Sequence, residues 1–199
     1  MAQTRDGSLS VMGKSIVEAL RSAQADVAPV DVVRAGLRRS ETISGYIVGV
    51  GNDWVIVAAT AQVVYLDGWE VLRIRDITKV DTAGKKARRY IDGAIVALGT
   101  PPSRPASLTV SDGSPKNVLC GVLESAEIVA VHSEKKYPGA VWIGHFLGHR
   151  GKKFGLRCID STGIWEHDER VFALAEISRV TIGGRYNDAL ERFGDRRPE

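Results

Sequence analysis

The apolar positions of the chain change period several times, and the changes come in the same order twice. Met12, Ile16, Val17 and Leu20 recur at helical spacing. Segments 31–38, 42–50, 53–60, 63–74 and 76–81 then read as short strands bounded by polar turns. Helical spacing returns over 84–98 with Tyr90, Ile91, Ala94, Ile95 and Leu98. A second pass opens at Ser114-Pro115, an N-cap followed by a first-turn proline. Val118, Leu119, Val122 and Leu123 form the stripe of that helix. Strands follow at 127–134, 140–149, 153–160, 164–174 and 176–182, and a last helix at 184–194 carries Tyr186, Ala189, Leu190 and Phe193. Asp67-Gly68 falls inside the fourth strand of the first pass, as a tight turn or as a bend within one strand.

Individual residues repeat as well. Ile43-Ser44-Gly45-Tyr46-Ile47-Val48-Gly49 matches Trp142-Ile143-Gly144-His145-Phe146-Leu147-Gly148 at an offset of 99. One inserted residue then raises the offset to 100, setting Trp54 against Phe154, Tyr65 against Trp165 and Val71 against Val171. Asp76-Ile77-Thr78-Lys79-Val80 matches Glu176-Ile177-Ser178-Arg179-Val180, and Arg89-Tyr90-Ile91-Asp92 resembles Arg185-Tyr186-Asn187-Asp188. Matches that keep their order and spacing point to duplication. Two copies are too few for a solenoid. The expected organisation is therefore two units, 1–100 and 101–199, each helix, five strands, helix. The stretch 99–113, with Pro101, Pro102 and Pro105, is the linker, and 194–199 is a frayed tail. The fold class is mainly β with flanking helices (α+β), read as two tandem, strongly bent five-stranded barrels.

Composition narrows the function classes. The 199 residues are 44% hydrophobic and 26% charged, ordinary globular usage that argues against wholesale disorder. A net charge of +3 is too small to mark a strongly basic nucleic-acid module by itself. Cys120 and Cys158 sit among apolar neighbours and read as reduced core thiols, which suits the cytoplasm. Met1 to Ser10 is polar, unlike a signal peptide, and no run approaches the roughly 20 apolar residues of a membrane span.

Candidate chemistry is sparse. His145 and His149 would share a strand face with Leu147 and could hold zinc with Cys158 or Asp160, although no CxxC or HExxH spacing is present. His132 and Glu134 share a face, and Glu166 and Asp168 are further acid–base candidates; Ser133 points the other way from His132. Gly49-Val50-Gly51 is followed by a strand, so it lacks the strand–loop–helix geometry of a phosphate loop. Gly183-Gly184 with Arg185 reads as a turn that starts the last helix. No catalytic residue, metal or nucleotide cofactor is therefore assigned. Lys85, Lys86, Arg88 and Arg89 form the densest basic cluster, and they open a helix, where positive charge opposes the dipole. With Lys152 and Lys153 they are candidate phosphate contacts, and Arg38-Arg39 adds to the surface. Trp54, Tyr65 and Trp165 occupy apolar positions and are expected in the core. Asp76, Asp92, Lys79 and Arg89, with Glu176, Asp188, Arg179 and Arg185, suggest ion pairs tying each last strand to its last helix.

A helix followed by five short bent strands resembles the Sm-like barrel. The stretch Ile43 to Ala59 resembles the first Sm motif: an apolar residue, Gly45, alternating apolar positions, a polar turn at Asn52-Asp53 and an apolar strand. In RNA-binding Sm proteins that turn carries an Asp and an Asn that bind a base, so the resemblance implicates Asn52; Gly151-Lys152-Lys153 stands there in the second copy. Where the family's second motif, an Ile-Arg-Gly type turn, would lie, this chain has Arg75-Asp76-Ile77-Thr78 and Ala175-Glu176-Ile177-Ser178. The chain is also similar to an uncharacterised bacterial family that shares Val129-Ala130-Val131-His132-Ser133-Glu134, Tyr137-Pro138-Gly139, Ile143-Gly144 and Ile177-Ser178-Arg179-Val180 ahead of Tyr186. These resemblances imply a non-enzymatic binding or scaffold protein of two fused Sm-like barrels. Its expected partner is another protein or a second copy, joined through free strand edges at the fourth and fifth strands of each copy; equally, the two copies could pair with each other and leave no edge. The alternatives are RNA or single-stranded DNA binding through the basic patches, and a small hydrolase-type enzyme.

Overall fold

A computed structural model describes residues 15–35, 40–99, 101–110 and 113–198. Met12 and Arg38-Arg39 lie outside them. The first half runs α1 (Ile16–Ala25), β1 (Pro29–Arg34), β2 (Glu41–Val50), β3 (Trp54–Ala61), β4 (Tyr65–Arg73), β5 (Ile77–Thr82) and α2 (Lys85–Ala97). The second runs α3 (Pro115–Glu124), β6 (Val129–His132), β7 (Val141–Arg150), β8 (Lys153–Ile159), β9 (Trp165–Ala173), β10 (Arg179–Ile182) and α4 (Arg185–Phe193). Every expected element is present, with bounds shifted by a few residues. A single 3-10 turn separates the fourth and fifth strands of each half, at Ile74–Asp76 and Leu174–Glu176.

Local sequence explains the element ends. Ser15 caps α1 through a reciprocal capping box with Glu18, and Ser114 caps α3 ahead of Pro115. Asp67-Gly68 is a bend within β4, with Gly68 at φ 82°.

All ten strands form one antiparallel sheet in the order β5-β1-β2-β3-β4-β10-β6-β7-β8-β9. The architecture is α+β, and the two halves have the same strand order within it. Their ladders are irregular at matching places. The β2–β3 register shifts between Ile47 and Gly49, and the β7–β8 register between Phe146 and His149. Gly45 and Gly144 face the neighbouring strand so closely that a Cβ would lie 2.2 Å from the Ala58 carbonyl oxygen and 2.0 Å from that of Arg157. Only glycine fits such an approach.

The registers correct two expected matches. Trp165 lies opposite Ile159 as Leu66 lies opposite Thr60, so Trp165 matches Leu66 rather than Tyr65. Trp54 lies opposite Arg73, and Lys153 lies opposite Ala173. Ile74 N–H donates to the Asp53 carbonyl just as Leu174 N–H donates to that of Lys152. Trp54 therefore corresponds to Lys153, and the inserted residue falls beyond β8. The unbroken apolar run Trp54–Ala58 presents an apolar residue to Phe154 and Leu156 in either alignment, which hides the one-residue slip.

Packing also revises the edges of the units. The larger core joins Trp54, Ile56 and Val71 of the first half to Phe146, Phe154, Leu156, Phe172 and Val180 of the second. Leu108 and Val110 are buried in it, so the expected linker is packed as part of the body. Trp69 Nε1 donates to the Ser103 carbonyl, 2.7 Å away. A second cluster under α1 belongs to the first half alone, with Leu20, Val30, Val32, Ile43, Val55 and Leu72. The expected frayed tail is tied down at Asp195, which donates to the Gly163 carbonyl and accepts from Trp165 Nε1. Trp54 and Trp165 are buried as expected, but Tyr65 is exposed because it opens the β3–β4 hairpin opposite Ala61. No helix among the described residues is long and apolar enough to cross a membrane.

Candidate functional site

The halves meet where β4 pairs with β10. Arg179, Val180, Thr181 and Ile182 lie opposite Leu72, Val71, Glu70 and Trp69. Val71 and Val180 face each other fully buried. The strands bring an ionic network with them. Arg179 sends Nε and Nη2 to the two Glu70 oxygens, at 2.6 and 2.8 Å, and Nη1 to Glu41 at 2.5 Å. Glu41 accepts from Arg34 Nη1 at 2.9 Å. Arg34 in turn holds Glu134 with two bonds of 2.9 and 2.5 Å and reaches the Ser178 carbonyl. Thr181 Oγ1 donates to Glu70 and lies 3.3 Å from His132 Nε2.

Burial sets the charges in this network. Desolvation raises the Glu70 carboxyl, against the pull of Arg179. Burial would also raise Glu134, yet hydrogen bonds from Arg34 and Ser178 hold it below the usual carboxylate range. His132 is pushed down to about 3 by burial and by the neighbouring Arg179, against the opposing pull of Glu134. It is a neutral imidazole at ordinary pH. Further contacts cross at the flanks: Lys135 to Asp76 at 2.5 Å, Arg73 to the Leu174 and Ala175 carbonyls, and Arg185 to Asp67.

Sequence reasoning had not singled out Arg34, Glu41 or Glu70. The clue was Arg34 itself, which continues the buried face of Val30 and Val32 with a charge. The ion pairs expected between last strands and last helices do not form. Arg179 meets Glu70 across the sheet, Asp76 meets Lys135, and Arg185 meets Asp67, partners that the β4–β10 junction brings from the other half. Arg88 and Asp92 pair within α2, where Asp92 also accepts from the buried Tyr46 hydroxyl.

The remaining candidates are dispersed. His145 Nδ1 lies 2.9 Å from the Glu127 carbonyl, and the shift between Phe146 and His149 breaks the alternation that would have aligned His145 with His149. Cys158 is buried, and Asp160 is spent on its own turn with Thr162 and Ile164. Among the described residues no three His, Cys, Asp or Glu side chains converge on a metal position. Glu166 pairs with Arg170, while Asp168 is exposed. Ser133 Oγ is buried without a hydrogen-bond partner among the described residues.

Lys85, Lys86 and Arg89 are exposed at the start of α2 and have no ion-pair partner among the described residues. Arg88 is half-buried, held by Asp92 and the Asp26 carbonyl. Asn52 is exposed in the β2–β3 turn, and Lys152 and Lys153 are exposed at the β7–β8 turn. No hydrogen bond or ion pair joins the three groups. A cleft of about 240 Å³ beside the second turn is lined by His149, Arg150, Lys153, Phe154, Glu169 and Val171 among others.

Among the described residues the sheet ends on strands that pair on one side only: β5 with β1, and β9 with β8. No protein-family model, curated protein or solved structure matches the chain.

Proposed function

We propose that the chain is a non-enzymatic binding or scaffold protein of two fused, duplicated Sm-like units that binds by adding strands to its sheet edges. The observation that carries this reading is the β4–β10 junction, where one half already completes the other by strand pairing, while the outer sides of β5 and β9 pair with no strand among the described residues. Support for the duplicated units comes from the repeated strand order, the matching register shifts and the two close-approach glycines. An unpaired edge offers a row of backbone donors and acceptors to an incoming strand.

The test is affinity purification of the full chain from the cells that make it, beside the variant Thr82→Lys/Val171→Lys. Both sites are exposed, and edge lysines oppose strand addition. Bound protein is expected to fall about tenfold with the variant, and equal capture by both chains overturns the reading. Bound RNA that is lost instead in Lys85→Glu/Lys86→Glu would move the assignment to nucleic acid, with the steep salt dependence of phosphate contacts.

A further inference from the structure

The outer strands repeat the two strands that join the halves. β5 meets β1 as β10 meets β6: Val80 lies opposite Val32 and Val180 opposite Val131. β9 meets β8 as β4 meets β3: Glu169 lies opposite Arg157 and Trp69 opposite Ala58. Each outer edge thus carries the positions that the internal junction uses. Laying β5 on β9 in the β4–β10 register sets Lys79 opposite Phe172, Val80 opposite Val171, Asp81 opposite Arg170 and Thr82 opposite Glu169.

The side chains at those positions are complementary. Val171 is 57% exposed, whereas its counterpart Val71, opposite Val180, is fully buried in the core that joins the halves. Asp81 and Arg170 bring opposite charges face to face, a favourable cross-strand pair. The same logic reaches the helices. At the internal junction Asp67 accepts the Arg185 backbone N–H and pairs with its guanidinium, so a carboxylate from β4 caps α4. The corresponding first turn of α2 is capped by Gly84 without a side-chain bond and carries Lys85, Lys86 and Arg89, which have no ion-pair partner among the described residues. On β9 the matching stretch is His167-Asp168-Glu169. The internal bend at Gly68 packs backbone against backbone; Asp168 stands there in β9, so the outer ladder is limited to the four pairs and ends in acidic side chains.

We infer that β9 of one copy pairs with β5 of a second copy, head to tail, and that Lys85, Lys86 and Arg89 engage Asp168 and Glu169 across that contact. This rests on the strand-edge reading and names the occupant of the edge. It also gives a use to positive charge placed against a helix dipole. Such a contact joins unlike surfaces, so it closes into a ring or propagates as a filament.

Sedimentation of the purified full chain over a wide concentration range tests it. Wild type is expected to exceed the mass of one chain, increasingly so with concentration. Arg170→Asp alone and Asp81→Arg alone each put like charges in the contact and should weaken association at least about tenfold. An equimolar mixture of the two variants should restore it, because each altered edge then meets a complementary edge of the other chain. Both positions are exposed, and thermal melting checks that the variants fold. A wild type that stays a single chain at every concentration, or a mixture as weak as its components, overturns the inference. That outcome leaves the strand-edge reading to its own test, which turns on capture by Thr82→Lys/Val171→Lys. Unchanged self-association in Lys85→Glu/Lys86→Glu would remove the basic cluster from the contact.

Discussion

Arg34 and Glu134 form a two-pronged ion pair between the halves, with the arginine side chain fully buried and the carboxylate nearly so. The pair is part of a chain of charges running from Glu134 through Arg34, Glu41 and Arg179 to Glu70. Removing one partner strands the others in a poorly solvated place. Arg34→Met is therefore expected to destabilise the fold by about 3–5 kcal/mol. Pairing it with Glu134→Gln should return part of that loss, because one stranded carboxylate disappears. Urea denaturation of wild type, Arg34→Met, Glu134→Gln and the double variant closes the cycle, and a double loss equal to the sum of the two single losses would show that the pair is not coupled.

His132 makes the same region sensitive to acid. Its folded value of about 3 lies far below the ordinary histidine value, held there by burial and Arg179, with Arg34 adding and Glu134 opposing. Between the two values the unfolded chain binds a proton that the folded chain refuses. Stability is therefore full above the ordinary value and falls as pH drops from about 6.5 toward 3. Glu134, with its folded value lowered, adds a loss in the same direction as it protonates. His132→Asn should flatten the part of the urea-midpoint curve nearest neutrality while leaving the more acidic carboxylate limb. A variant curve that parallels wild type from pH 7 to pH 5 would count against His132 as the source.

The strands and helices were legible because each is written in local spacing. Val30, Val32 and the run Trp54–Ala58 announce strands, and Ser15 and Ser114 announce helix starts. The ionic network was not, since Arg34 and Glu134 are 100 residues apart and Arg179 and Glu41 are 138 apart. Their meeting depends on β4 pairing with β10, which no local pattern specifies. The same limit explains Trp54, whose partner in the second half needed the β3–β4 and β8–β9 registers to place. His145 and His149 were aligned by counting in twos, and a register shift between them defeats the count. The fourth and fifth strands were the expected edges, and the structure shows that two of the four, β4 and β10, are already used on each other.

The two cysteines should be silent toward thiol reagents in the folded chain. Both are free and buried. Burial and Glu166 push the Cys158 thiol up to about 11, and burial with Glu124 raises Cys120. Little thiolate is then present at neutral pH, and the thiolate is the reactive form. A colorimetric thiol assay should find both sulfurs slow in buffer and fast in denaturing urea. Rapid native reaction of either one would mean that the second half opens locally.

Two kinds of glycine substitution should move stability in opposite directions. Gly45 and Gly144 sit where a Cβ would press into a carbonyl oxygen of the adjacent strand, at 2.2 and 2.0 Å. Backbone cannot step aside there without breaking the β2–β3 or β7–β8 ladder. Gly45→Ala and Gly144→Ala should each cost several kcal/mol, on the order of 3 or more, as overpacking against fixed backbone does. Gly93, by contrast, lies inside α2 with nothing within 4 Å of a Cβ. Gly93→Ala should stabilise by about 0.5–1 kcal/mol through helix propensity. Thermal melting of the three variants decides the matter: tolerance at both Gly45 and Gly144 would contradict the strand spacing of the two hairpins, and a loss at Gly93 would contradict the open space beside it on α2.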